Sequence, residues 1–193
     1  MPLVIHFVFA FLTGSAAVIS ASSPKRPTAT IDSGVVVGTT TSTPSSPFIV
    51  EQFLGVPFAA APVRFKPPKP PIPWTSPYDA STYKPSCFQQ FDYPKENHRR
   101  MIEWVNTPGP PAGESEDCLN LNVFVPEGGT HGKAVMFWIH GGAFSFGSGS
   151  LPIYDGSSFA ANHDVVVVTV NYRTNVFGFP GSVELPEMGR NLG

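Results

Sequence analysis

The stretch AVMFWIHGGAF, residues 134–144, runs six apolar residues in a row into a histidine and two glycines. An unbroken apolar run of that length has the pattern of a strand covered on both faces by helices. Gly141 and Gly142 lie one residue beyond it, so the chain must turn sharply where the strand ends. A second apolar run, VVVVTV at 165–170, follows. Residues 157–162 between the two suit a short crossover helix. Strand, crossover and strand in that order indicate an α/β fold built on a mainly parallel sheet. Residues 165–170, with four valines in succession, have the same pattern of a central strand, and stand at an open edge where no further strand pairs beside them.

Upstream, residues 119–125 (LNLNVFV) alternate apolar and polar side chains, as a half-buried strand should. Residues 127–132 read as a turn. Residues 28–31 and 35–39 flank Asp32-Ser33-Gly34 and form a hairpin-like pair. Residues 40–47 read as a polar loop, and 48–54 as a third strand ended by Gly55 and Pro57. Prolines are so frequent over 57–85 that no regular element can persist there. That stretch is expected to coat the sheet, burying Phe58, Phe65, Trp74 and Tyr78. A short helix fits 94–105, and 108–113 breaks the chain again.

Composition agrees with a loop-rich globular chain: 22 Pro and 18 Gly imply turns, and 16 Phe supply core material. A net charge of −2 with 13% charged residues points to neither nucleic acid nor an anionic membrane as partner. Residues 3–12 are apolar apart from His6, and small residues lead to Ala21. This is the h-region and exit of a secretory signal peptide cleaved near Ala21, too short to favour an integral membrane span. The alternative is a buried N-terminal helix. Residues 22–27 then read as a flexible mature N-terminus. Two cysteines, Cys87 and Cys118, fit an exported chain as a disulfide, the alternative being two buried thiols. Closing a loop of about 30 residues would stabilise the fold by roughly 3–4 kcal/mol.

Backbone N–H groups aimed outward by Gly141-Gly142 at a sheet's carboxyl edge are what an oxyanion hole requires. Taken alone, two glycines after a strand make only a turn. Four further segments decide between these readings. Residues 53–59 (FLGVPFA) resemble "FxGIPYA"; 116–123 (EDCLNLNV) resemble "EDCLYLNV" with Asn for Tyr. Residues 138–144 resemble "WIHGGGF", and 170–179 resemble "VNYRLGVFGF". Over nearly all of the mature region the chain resembles the type-B carboxylesterase and cholinesterase family. That resemblance implies an α/β-hydrolase fold, residues 22–193 being the N-terminal part of the domain. It implies hydrolysis of small-molecule or lipid carboxylic esters by a serine, acid and histidine triad, without cofactor or metal.

Carried over residue by residue, the resemblance makes Gly142 and Ala143 the oxyanion N–H donors, with Gly141 permitting the loop's geometry. His140 shapes the loop and is not the catalytic base. Cys87 and Cys118 correspond to the family's first disulfide, whose loop contains Trp104, either a substrate contact or a packed aromatic. Arg64 and Glu116 correspond to a structural ion pair, the alternative being a surface pair of little worth. Arg173 resembles a second structural arginine whose acidic partner is expected beyond residue 193. The sequence also departs from the pattern: 61–64 is shorter than "PPVGxLRF", and Thr174-Asn175 replace Leu-Gly. No serine sits in Gly-x-Ser-x-Gly; Ser145, Ser148 and Ser150 all fail it. Residues 191–193 resemble the start of "NxGLxDQ", which leads to the nucleophile, so the triad is expected outside this sequence and the chain alone is expected to be inactive. The alternatives are a non-catalytic adhesion or binding module, or a truncated gene product without separate function.

Overall fold

The computed structural model describes residues 26–90, 95–105, 109–128, 132–182, 184 and 189–193. The expected signal peptide, and residues 22–25 of the expected flexible terminus, lie outside them. Arg26 is not loose: its guanidinium bonds the Gly38 carbonyl at 2.8 Å and Asp79 at 2.5 Å.

Two sheets form. The smaller joins β1 (Thr28–Ile31), β2 (Gly34–Val37) and β5 (Tyr78–Asp79) in the order β1-β2-β5. The larger contains β3 (Thr39–Thr43), β4 (Ser46–Pro57), β6 (Asn120–Pro126), β7 (Val135–Ile139) and β8 (Val166–Val170), in the order β3-β4-β6-β8-β7. The expected parallel step is present between β7 and β8, across helix α2 (Ser157–His163). The other three pairings are antiparallel, so the sheet is mixed, not mainly parallel over these strands. A short helix α1 (His98–Val105) lies inside the disulfide loop, and α3 (Asn175–Gly178) follows β8. Among the described residues no helix is long and apolar enough to cross a membrane.

The stretch read as a polar loop, 40–47, instead forms β3 and the start of β4. Its run Thr39–Thr43, β-branched except at Ser42, pairs antiparallel with β4, with Thr43 opposite Ser46. Threonine suits a pleated, half-exposed edge, and that preference outweighs the run's polarity. β4 also continues past its expected end. It passes Gly55 through an irregularity in its pairing with β6 between Phe53 and Val56.

Helix α2 covers one face of the larger sheet, where Val50, Leu54, Phe124, Ala160, Ala161 and Val167 form the principal core. On the opposite face Phe53 and Val56 meet Val36 and Ala80 of the smaller sheet region. The proline-rich stretch covers less than expected: Phe58 and Phe65 are 38% and 48% exposed, while Trp74 and Tyr78 are half-buried.

The alternation along β6 is real, but the buried parity is the unexpected one. Asn120, Asn122 and Phe124 are buried, whereas Leu121, Val123 and Val125 are half-buried and line an open groove of about 690 Å³. The two apolar runs also exchange their expected places. β8, expected at an edge, lies between β6 and β7; β7, expected to be covered on both faces, is the edge strand with all five residues exposed. Apolar periodicity reports what a strand can bury and carries no information on strand order; β8 is interior because it pairs with β6 as well as with β7.

An apolar edge without charge, proline or cover is a template for pairing. Secreted residues 22–193 should therefore self-associate in size-exclusion chromatography, and Phe137→Lys should shift them toward monomer. A wild-type chain that stays monomeric as concentration rises would contradict this.

Candidate active site at the end of the seventh strand

β7 delivers the chain to His140, which is 3% exposed. The imidazole stacks on Tyr172 with ring centroids 4.3 Å apart, and the Tyr172 hydroxyl donates to the His140 carbonyl at 3.0 Å. Its Nδ1 lies 2.9 Å from the Gly141 carbonyl, which makes Nδ1 the protonated nitrogen. Nε2 is buried without a partner among the described residues. Burial pushes this imidazole below its ordinary value of 6.5, more than the Gly141 bond raises it. His140 is a neutral, immobile wall of the turn.

Beyond it the backbone is forced. Gly142 has φ +130°, and a Cβ there would collide with the Phe146 carbonyl. Ala143 and Phe144 follow at φ 50° and 61°, two successive L-residues in the left-handed region. The Gly142 carbonyl accepts from Ser145 N–H at 2.9 Å and Phe146 N–H at 3.2 Å. In a planar trans peptide C=O and N–H point in opposite directions. Tying the Gly142 carbonyl inward therefore turns the Ala143 N–H outward. Likewise the Gly141 carbonyl faces the His140 ring, so the Gly142 N–H points away from it. Among the described residues neither N–H has an acceptor. Both residues line a cleft of about 540 Å³ whose other walls include Phe58, Leu119, Phe137, Tyr172 and Phe179. This concave, mostly apolar site carries two free backbone donors.

The return limb is fastened by backbone hydrogen bonds and by polar side chains. Gly147 N–H donates to Gln89 Oε1 at 2.9 Å, Gln90 N–H to the Ser145 carbonyl at 2.8 Å, and Asn175 N–H to the Phe144 carbonyl at 2.6 Å. Beneath it, Asn171 Oδ1 accepts from Ser148 Oγ at 3.1 Å and Gly149 N–H at 2.9 Å. Asn122, 1% exposed, accepts the Gly55 N–H at 2.9 Å through Oδ1. Its Nδ2 donates to the Gly149 carbonyl at 3.1 Å and Thr169 Oγ1 at 3.0 Å. Sequence reading missed this set. The available signal was Asn120 and Asn122 on the same strand parity as Phe124.

The other expected residues are placed as follows. Cys87 and Cys118 form a disulfide, buried against Ala59 and Leu119. It sets residues 88–90 beside the return limb. Arg64 Nε and Nη2 both reach Glu116 Oε1, at 2.7 and 2.5 Å, so one carboxylate oxygen takes both bonds instead of a two-oxygen fork. That hydrogen bond lowers the Glu116 pKa. With Arg64 62% exposed at its side chain, the pair pins a surface strap and lies outside the cleft. Trp104 is 73% exposed on α1 and is not among the residues that line the cleft. Arg173 is buried; it donates to the Leu192 carbonyl at 2.7 Å and the Lys66 carbonyl at 2.9 Å, while Nη2 has no partner among the described residues.

Comparison with known proteins fits this geometry. The profile of the Carboxylesterase family matches residues 25–193. Acetylcholinesterase of Electrophorus electricus is 44% identical over 162 residues, which is 79% of this chain and 24% of that protein. Para-nitrobenzyl esterase of Bacillus subtilis (strain 168) is 43% identical over 133 residues, 67% of this chain and 25% of that protein. Among solved structures, a thermophilic PNB esterase superposes with TM-score 0.70 at 38% identity, covering 87% of this chain and 32% of its own. The chain belongs to the carboxylesterase family and has its α/β-hydrolase fold. It spans about a quarter of the length of these curated relatives.

Two outcomes are expected from the site's packing. Asn122→Ala leaves the Gly55 N–H without its acceptor and the Gly149 carbonyl with the Thr169 hydroxyl alone, which costs about 1–3 kcal/mol and lowers Tm by roughly 2–12 °C. An unchanged melting temperature would contradict the network. For His140, a folded-state pKa below the unfolded value means that unfolding takes up a proton. Stability is then fully present above pH 6.5 and declines as pH falls below it. An NMR titration of the His140 ring with a midpoint at or above 6.5 would contradict this.

Proposed function

We propose that residues 22–193, behind a signal peptide of residues 1–21, form the N-terminal part of a secreted carboxylic-ester hydrolase. In this reading Gly142 and Ala143 donate their N–H groups to the oxyanion of the tetrahedral intermediate, and Gly141 permits the turn. One observation supports it: two adjacent residues that line an apolar cleft have backbone N–H groups with no acceptor among the described residues. As a nucleophile adds to an ester carbonyl, charge grows on the carbonyl oxygen. Donors already in position meet it without reorganising, and loss of one such donor costs about 10²–10³ in kcat. Ala143 keeps the N–H, and its Cβ adds bulk beside the acyl group. Phe58, Leu119, Phe137 and Phe179 supply apolar contact for the hydrocarbon of a small-molecule or lipid ester.

The nucleophile, its histidine and its acid belong, in this proposal, to sequence that follows these 193 residues. The mechanism would run through an acyl-enzyme and calls for no cofactor. Similarity to an acetylcholinesterase and a para-nitrobenzyl esterase supports an ester as substrate. An adhesion module on the same scaffold has no use for donors held without an acceptor, and this favours the enzyme.

The experiment compares secreted residues 22–193 with the product of the coding sequence read on past Gly193, using p-nitrophenyl butyrate. The longer product should contain Gly-x-Ser-x-Gly and hydrolyse the ester, and 22–193 should not exceed a mock secretion. Turnover by 22–193 would overturn the assignment of the triad, and an inert longer product would overturn the esterase reading.

A further inference from the structure

We propose that Asn175, assisted by Thr174, is a positioning residue that fixes the direction of the Ala143 N–H; this rests on the oxyanion reading of the loop. Ala143 and Phe144 hold φ values of 50° and 61°, a conformation that L-residues keep only when their surroundings impose it. The imposition can be followed through two peptide planes. The Phe144 carbonyl accepts from Asn175 N–H at 2.6 Å. The same plane carries the Ser145 N–H, which donates to the Gly142 carbonyl at 2.9 Å. The Gly142 carbonyl in turn shares its plane with the Ala143 N–H. Each plane is rigid, so the Asn175 N–H sets the direction of the Ala143 N–H through two hydrogen bonds.

Asn175 is itself held from three sides. Its backbone is left-handed at φ 49°, which asparagine tolerates better than most residues. Its Nδ2 donates to the Phe88 carbonyl at 2.6 Å, and its Oδ1 accepts from Phe177 N–H at 3.2 Å. Thr174, 1% exposed, donates its hydroxyl to the same Phe88 carbonyl at 2.5 Å. Phe88 follows Cys87, which the disulfide anchors. The side chains of Thr174 and Asn175 thus tie the strained loop to the cross-linked segment. They stand at the positions where the sequence reads Thr-Asn in place of Leu-Gly.

The test uses the protein carrying the complete hydrolase domain. Asn175→Gly keeps the left-handed backbone and removes only the side-chain bonds; Thr174→Val keeps the shape and removes one donor. Each should lower kcat for p-nitrophenyl butyrate about fivefold, the worth of roughly one hydrogen bond, with KM within about twofold. In an Ala143→Gly background, where one of the two strained positions is relieved, the loss should shrink to under about twofold. A purely structural role would give the same loss in both backgrounds, and that result overturns the proposal. So does an unchanged kcat, or a rise in KM alone. If the unsubstituted protein hydrolyses no ester, the oxyanion reading fails, and amide exchange then decides the clamp. Ser145 and Phe146 N–H should exchange at least about fivefold faster in Asn175→Gly, and equal exchange overturns it.

Discussion

The chain leaves β7, reverses over the carboxyl end of that strand and enters α2 while two backbone N–H groups have no acceptor among the described residues. Everything else about the site depends on the buried asparagines that make this reversal stable. Asn122 on β6 and Asn171 just past the end of β8 meet the backbone of residue 149, and Asn122 also satisfies the amide of Gly55 where β4 is irregular. A buried backbone group left unpaired costs about 1–3 kcal/mol, so a loop crossing the sheet end at this depth cannot persist without such partners. With residues 148–150 locked, residues 141–147 have both ends fixed, and their strained backbone has few ways to relax.

That constraint also explains which parts of the molecule were legible in the sequence. The strands themselves were visible as apolar runs and turn residues, and β1 has the bounds expected for it. The glycine pair was visible as a turn because only glycine accepts the φ of Gly142. The inward face of β6 was not legible, since hydrophobicity assigns asparagine to solvent. Asparagine goes inside here because β6 lies beneath a loop whose backbone groups need partners, a requirement set by tertiary structure. Strand order was equally hidden. Residues 135–139 and 166–170 are both apolar, and only the pairing of the second with β6 makes the first the edge and the second an interior strand.

The charged and cross-linked residues were legible as pairs through motif resemblance, but their roles divide on exposure. The Cys87–Cys118 bond is buried and governs where residues 88–90 meet the loop. Arg64 and Glu116 join as expected, yet solvent reaches the guanidinium and the pair only fastens a strap. Arg173 is the reverse case. Its guanidinium is buried on two carbonyls, burial lowers its pKa, and one nitrogen has no partner among the described residues. Thr174 and Asn175 next to it were noticed only as departures from a pattern, because hydrogen bonds to a distant carbonyl leave no periodic trace.

The most direct measurement is a crystal structure of the protein carrying the complete hydrolase domain, inhibited by a p-nitrophenyl alkylphosphonate that mimics the tetrahedral intermediate. The account predicts the phosphoryl oxygen about 2.7–3.1 Å from both the Gly142 and Ala143 nitrogens, with His140 still stacked on Tyr172. A phosphoryl oxygen bound elsewhere, with those two N–H groups turned away or bonded within the protein, would contradict it.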